Sequence, residues 1–229
     1  MILHIPHSST LIPEYETEMM KDKDVLDAIE KYTDHRTHEL FNGYKLTEAV
    51  IYPYSRVFCD VEKLEENEPM EELGLGILYD VSKNTRKFPD RALETYKEHH
   101  DELLKVTLKE KTYFNKTIII DCHSFSDEQA KEQGYNEKTV DICLGTDETH
   151  TPNELTQMCQ EHFEKEGYSV GINEPFQGTI IPLKLYGNED ILSIMLEVNK
   201  RTYSNEADFI RLRDCIGVLL EKIDNFYTE

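Results

Sequence analysis

The sequence predicts an α/β fold, a three-layer sandwich in which helices cover both faces of a mixed, mostly parallel central sheet. Three observations point there. Short β-branched or apolar runs alternate with amphipathic stretches along the 229 residues. The runs Thr117-Ile118-Ile119-Ile120 and Ile191 through Val198 are apolar almost throughout, as strands buried on both faces are. Several runs then break abruptly into polar residues, the position at which open α/β sheets bind ligands.

Taken in order, residues 1–6 read as a strand that ends at Pro6-His7-Ser8-Ser9, and residues 22–42 carry helical spacing through Val25, Leu26, Ile29, Tyr32 and Leu40. Ala49-Val50-Ile51-Tyr52 and Val57-Phe58-Cys59 read as short strands, and the acidic stretch from Asp60 to Glu72 as a surface loop. Pro89-Asp90 is a helix start signal for the amphipathic segment 90–111, which delivers the chain to the strand at Thr117. That strand is expected to stop at Asp121-Cys122-His123-Ser124. A strand at 140–144, a helix at 151–166 and a strand at 168–171 follow, the last leading to Asn173-Glu174-Pro175-Phe176. The inner strand 191–198 and a closing helix over 206–225 complete a single domain spanning 1–229.

Composition narrows the function. The 46 acidic and 25 basic residues give a formal charge of -21, which disfavours nucleic acid and anionic membrane surfaces. Five scattered cysteines without a CxxC pair argue against a disulfide framework or a thiolate zinc site and fit a reducing cytoplasm. Met1-Ile2-Leu3-His4 runs straight into a strand pattern without the features of a signal peptide, and no segment approaches the about 18 apolar residues of a membrane span. The expectation is a cytoplasmic protein acting on a small molecule.

The residues that could carry chemistry follow apolar strands. His7, Asp60 and His123 qualify, and two histidines on neighbouring strands can share a divalent ion with a carboxylate and a water. Asp34, on the helix after the first strand, can be returned by the crossover to the same sheet edge. Asp121 precedes His123 by two residues, so in an extended segment both point one way and the carboxylate can orient the imidazole; turn chemistry at a strand end is the alternative. Glu197 sits inside Ile194-Met195-Leu196-Glu197-Val198, where a carboxylate is costly to bury unless paired or used. Such a glutamate suits proton transfer from water to a leaving amine. Arg56, four residues before Asp60, reads equally as a structural ion pair or a substrate clamp. His35 and His38 share a helical spacing but read as a solvated helix face, and His4 is expected to point away from His7.

The chain resembles the N-formylglutamate amidohydrolase family, itself distantly similar to zinc carboxypeptidases and aspartoacylases. The resemblance rests on Pro6-His7-Ser8-Ser9, Thr33-Asp34, Arg56 with Asp60-Val61-Glu62-Lys63, His100, Asp121-Cys122-His123-Ser124, Asn173 through Gly178, Tyr186-Gly187 and Leu196-Glu197-Val198-Asn199-Lys200. It implies a phosphorylase/hydrolase-like fold and one divalent metal, with zinc expected, at His7 and His123; the related carboxypeptidases add a glutamate three residues after their first histidine, where this chain has Thr10, and Asp34 is taken as the carboxylate ligand in its place. It further implies Glu197 as general base, and hydrolysis of a formyl-like acyl group from an acidic amino acid such as N-formylglutamate. Arg56, Lys63, His100, Ser8, Ser124, Gln177 and Tyr186 would contact a substrate bearing a carboxylate, with Asp121 and Asp60 supporting the ligands. Departures fall on Ser9, Glu62, Lys63 and Thr179, where the family usually has Gly, Asn, Arg and a second Gly. Glu-Lys in place of Asn-Arg exchanges a bidentate carboxylate clamp for a point charge beside an acid. Amidase action on a peptide or peptidoglycan-like amide, and a non-catalytic binding protein of the same fold, are the alternatives.

Overall fold

A computed structural model describes residues 1–42, 48–65, 68–135 and 139–228. Six strands form one sheet in the order β2-β1-β3-β6-β4-β5, with β1 Ile2–Ile5, β2 Glu48–Ile51, β3 Thr117–Phe125, β4 Ile142–Gly145, β5 Val170–Ile172 and β6 Ile191–Asn199. β2, β1, β3 and β6 are mutually parallel; β4 is antiparallel to β6 and parallel to β5, so the sheet is mixed and mostly parallel as expected.

The period-two alternation of the strands sorts the sheet into two faces. Leu3 and Ile5, Ile118, Ile120 and Cys122, and Leu192, Ile194, Leu196 and Val198 pack against Leu40 and Phe41 of helix α2 (Thr37–Phe41), Leu155 and Phe163 of α5 (Asn153–Lys165), and Leu212, Ile216 and Leu219 of α6 (Glu206–Thr228). The opposite face carries Ile2, Val50, Ile119 and Ile191 against Leu103 and Val106 of α3 (Pro89–Lys111). On that second face, further along the same strands, the alternation sets His4, Asp121, His123 and Glu197 in place of apolar residues. A third apolar cluster, from Val25 and Ile29 of α1 (Lys23–Tyr32) with Tyr52, Val57, Phe58, Tyr79 and Ala92, backs the loops that follow β1 and β2.

Four local expectations differ from the structure. Val57-Phe58-Cys59 forms a turn closed by Phe58 N and Cys59 N donating to Ser55 O, because all three side chains are drawn into the third cluster. The helix expected over 22–42 breaks after Tyr32: Thr33 is extended, Arg36 adopts a left-handed conformation with φ 64, and α2 begins at Thr37. The loop expected from Asp60 to Glu72 begins in the interior, with Asp60 and Val61 fully buried; its residues 66–67 lie outside the described residues. Finally, β3 does not stop at Asp121 but continues to Phe125, since its polar residues remain paired with β6. Among the described residues, no helix is long and apolar enough to cross a membrane.

Candidate functional site

The site is assembled by chain breaks as much as by strands. Pro6 ends β1 and turns His7 out of the strand alternation, and Asp34, in the gap between α1 and α2, is fastened there by its backbone N–H donating to His7 O at 2.9 Å. His123 lies within β3, in register with Glu197 of β6. The rings of His7 and His123 stand 5.0 Å apart. Asp34 Oδ2 is 3.2 Å from His123 Nδ1 and 3.7 Å from His7 Nδ1, and one ligand atom from each of His7, Asp34 and His123 falls within 4.8 Å of the others.

Both histidines are held from behind. His7 Nε2 is 2.8 Å from Asp60 Oδ1, and His123 Nε2 is 3.0 Å from Asp121 Oδ1. A carboxylate on one ring nitrogen fixes the tautomer that presents the other as a lone pair, the arrangement typical of metal-bound histidine. Two atoms of this group, His7 Nδ1 and Asp34 Oδ1, are buried without a hydrogen-bond partner. An orphaned imidazole nitrogen beside an orphaned carboxylate oxygen costs about 1–3 kcal/mol for each group and is the expected signature of a cation site. The donor set therefore fits a divalent ion of the zinc, manganese or iron type.

Electrostatics agree with the geometry. Burial alone would raise the Asp34 carboxyl, but the hydrogen bond with His123 and the close approach of the His7 ring outweigh it and hold it below the usual carboxylate range. Burial lowers the affinity of His123 for a proton, but the charge and hydrogen bond of Asp121, with the hydrogen bond of Asp34, outweigh this and hold that affinity well above the ordinary imidazole value, the direction in which a cation at the ring is also favoured. Glu197 goes the other way: burial, reinforced by the charges of Asp34 and Asp121 and opposed by those of His123 and Arg56, pushes it up to about 8. Its Oε2 is buried without a hydrogen-bond partner.

The other expected site residues divide. Arg56 donates to Asp60 Oδ2 through Nε at 3.1 Å and Nη2 at 2.8 Å, and Tyr79 Oη donates to the same oxygen at 2.8 Å, so Arg56 is at least half committed to a structural pair. Lys63 Nζ lies 3.9 Å from Glu68. His100 stacks against Tyr96 with ring centroids 4.3 Å apart, and its Nε2 is buried and unpartnered. Ser8 follows His7 directly and is half-buried. Gln177 is exposed on a loop that crosses the site face from Cys143, which bonds Phe176 O, to Asp121, which accepts from Ile180 N at 3.1 Å. That loop approaches so closely that a Cβ on Gly145 would stand 2.1 Å from Gly178 O, hence the glycine.

Two expected substrate contacts are not brought to the site. Ser124 alternates to the other sheet face, in register with Val198 of the α6-side core, and its hydroxyl is buried without a hydrogen-bond partner. Tyr186 is tied to the opposite end of β6: its ring packs on His150, which bonds Ile191 O, and its hydroxyl donates to Asp147. Conversely, the structure brings to the site His4, expected to point away from His7, together with Glu62 and His99, neither of which was expected there. His4 Nδ1 is 2.9 Å from Asp121 Oδ1 and 3.0 Å from Glu62 Oε1, and its Nε2 is 2.8 Å from His99 Nε2. Alternation from His4 to His7 fails at Pro6, which removes the basis for placing His4 elsewhere. The period itself could have found it, because His4 pairs in register with Asp121.

No curated protein sequence matches the chain. Solved structures share its fold. The crystal structure of an N-formylglutamate amidohydrolase from Ralstonia eutropha JMP134 aligns with a TM-score of 0.82 at 17% identity, covering 99% of this chain and 93% of that one. A gene product of Agrobacterium tumefaciens aligns with a TM-score of 0.70 at 20% identity, covering 97% and 91%. The family model for N-formylglutamate amidohydrolase matches residues 1–204, a span that holds the whole histidine–carboxylate cluster described above. On that match the chain belongs to the N-formylglutamate amidohydrolase family.

Proposed function

We propose that the chain is a metal-dependent amidohydrolase that removes a formyl-like acyl group from the nitrogen of an acidic amino acid such as glutamate, with Glu197 as general base. The observation that carries this reading is the pairing of two different environments on one sheet face. His7 Nδ1, His123 Nδ1 and Asp34 converge within reach of one cation, while the neighbouring Glu197 is held at about 8, close to the pH at which a base works best. The family match, with an N-formylglutamate amidohydrolase of Ralstonia eutropha among the structural neighbours, supports the substrate class.

In this reading His7, Asp34 and His123 hold the ion, which when bound supplies Lewis acidity to the scissile carbonyl and to water. Asp60 and Asp121 keep the two imidazoles in the ligating tautomer. Glu197 takes the proton from the attacking water and delivers it to the departing amine nitrogen, a service worth typically 10²–10⁴-fold in rate, about 3–5 kcal/mol. The Gln177 loop lies over this face and limits its access to solvent, while Arg56, Lys63 and Lys200 supply the positive field for a substrate carboxylate.

A second reading, amidase action on a peptide-like amide, is favoured by one observation. Arg56 and Lys63 already face Asp60 and Glu68, which weakens the clamp a free acidic amino acid would need. The test is hydrolysis of N-formyl-L-glutamate, N-formylglycine and short N-acyl peptides by protein stripped with chelator and then reloaded with Zn²⁺, Mn²⁺ or Co²⁺. Activity that returns with metal and prefers N-formyl-L-glutamate is expected; metal-independent turnover, or none on any amide, contradicts the proposal.

A further inference from the structure

His123 faces a carboxylate through each ring nitrogen, and what lies beyond Nε2 is not merely a support. Asp121 Oδ1, 3.0 Å from that nitrogen, is also 2.9 Å from His4 Nδ1. Glu62 Oε1, brought in by the loop after β2, lies 3.0 Å from His4 Nδ1 and 3.9 Å from His123 Nε2. Two imidazole nitrogens and two carboxylate oxygens, from β1, β3 and that loop, thus surround one point. To orient His123, Asp121 alone would suffice.

Three features of this cluster call for a cation. Glu62 Oε1 is buried yet makes no hydrogen bond, because a single His4 Nδ1 hydrogen cannot serve two carboxylates at once. Asp60 and Glu68 nearby have Arg56 and Lys63 as partners, whereas among the described residues the ion-pair partners of Asp121 and Glu62 are only His4 and His123. The spacing also has the right size. Separations of 2.9, 3.0, 3.0 and 3.9 Å bracket the edge, about 3.3–3.5 Å, of a tetrahedron with metal–ligand bonds of about 2.0–2.1 Å. An ammonium group, which needs contacts of about 2.8 Å to each acceptor, would be too large for it.

We propose that His4, Glu62 and Asp121 form a second divalent-cation site, with His123 Nε2–H still donating to Asp121 at its edge, so that the active centre is built for two ions on either side of His123. The second ion neutralises Asp121 and Glu62. It also converts the Glu-Lys segment at Glu62 and Lys63 from a substrate clamp into a ligand-bearing loop.

The experiment is metal stoichiometry, read by isothermal titration of chelator-stripped protein with Zn²⁺ and confirmed by elemental analysis after dialysis, for the parent chain and for His4→Gln, Glu62→Gln and His7→Ala. Circular dichroism on each variant checks folding. The expected result is two equivalents for the parent and one for each folded variant, with His4→Gln and Glu62→Gln losing the same class of site and His7→Ala the other. One equivalent in the parent, kept by His4→Gln and lost by His7→Ala, overturns the second site while leaving the proposed hydrolase intact. Absence of any binding overturns both. Should His4→Gln fail to fold, Glu62→Gln, at a partly exposed position, decides alone.

Discussion

Replacing Glu197 by Gln in metal-free protein should change the way stability depends on pH. A carboxyl that titrates at about 8 in the folded chain and at its ordinary 4.5 in the unfolded one binds its proton more tightly when folded. Its contribution to stability is therefore present below pH 4.5 and lost progressively as pH rises toward 8. At about 1.4 kcal/mol per unit, linkage puts that loss on the order of 3 kcal/mol between pH 5 and pH 7.5. The amide of Gln is nearly isosteric and does not titrate, so the variant should escape the loss. Urea denaturation in EDTA, run from pH 5 to 8, measures this as a widening gap in favour of Glu197→Gln, equal at pH 7.5 to roughly 1–3 M in midpoint for a urea m-value of about 1–3 kcal/mol/M. A pH-independent gap, or a gap widening in favour of the parent, would refute the claim that burial and the neighbouring carboxylates keep Glu197 protonated.

Asp60→Asn removes the buried partner of both Arg56 and His7, and should destabilise the chain by about 3–5 kcal/mol, seen as a lowered urea midpoint at pH 7. Gly145→Ala sets a methyl group against Gly178 O and should displace the Gln177 loop, lowering kcat/KM at least tenfold while costing about 1–3 kcal/mol of stability. Ser124→Ala should leave KM within about twofold of the parent, because its hydroxyl faces the other side of the sheet. A large rise in KM would place that hydroxyl at the substrate. Ile194→Ala, in the fully buried α6-side core, should cost about 2–5 kcal/mol without altering metal stoichiometry in the fraction that remains folded.

The sheet was legible because its signal is local. The β-branched run at Thr117 and the apolar run at Ile191 have one reading under period-two burial, and both became the central nine-residue strands. Val57-Phe58-Cys59 misled for the opposite reason: its apolar character serves a tertiary cluster reached through a turn, a demand invisible to periodicity. Within the site, His7, His123 and Glu197 could be named because each interrupts or ends an apolar strand. Asp34 could be named but not placed, since the helix break that positions it depends on a hydrogen bond to His7 O across the fold. Ser124 shows the limit of adjacency, for the residue next to His123 in a strand points the other way. Glu62 was noticed only as a departure from the family pattern. Its meeting with His4 and Asp121 depends on how a loop after β2 folds back over β1, and no spacing encodes that.

The most direct test of the central claim is turnover of N-formyl-L-glutamate by Glu197→Gln with metal content measured on the same sample. The account predicts that kcat falls at least about 100-fold while the metal bound per chain stays at the parent value. Unchanged turnover with metal retained would remove Glu197 from the chemistry.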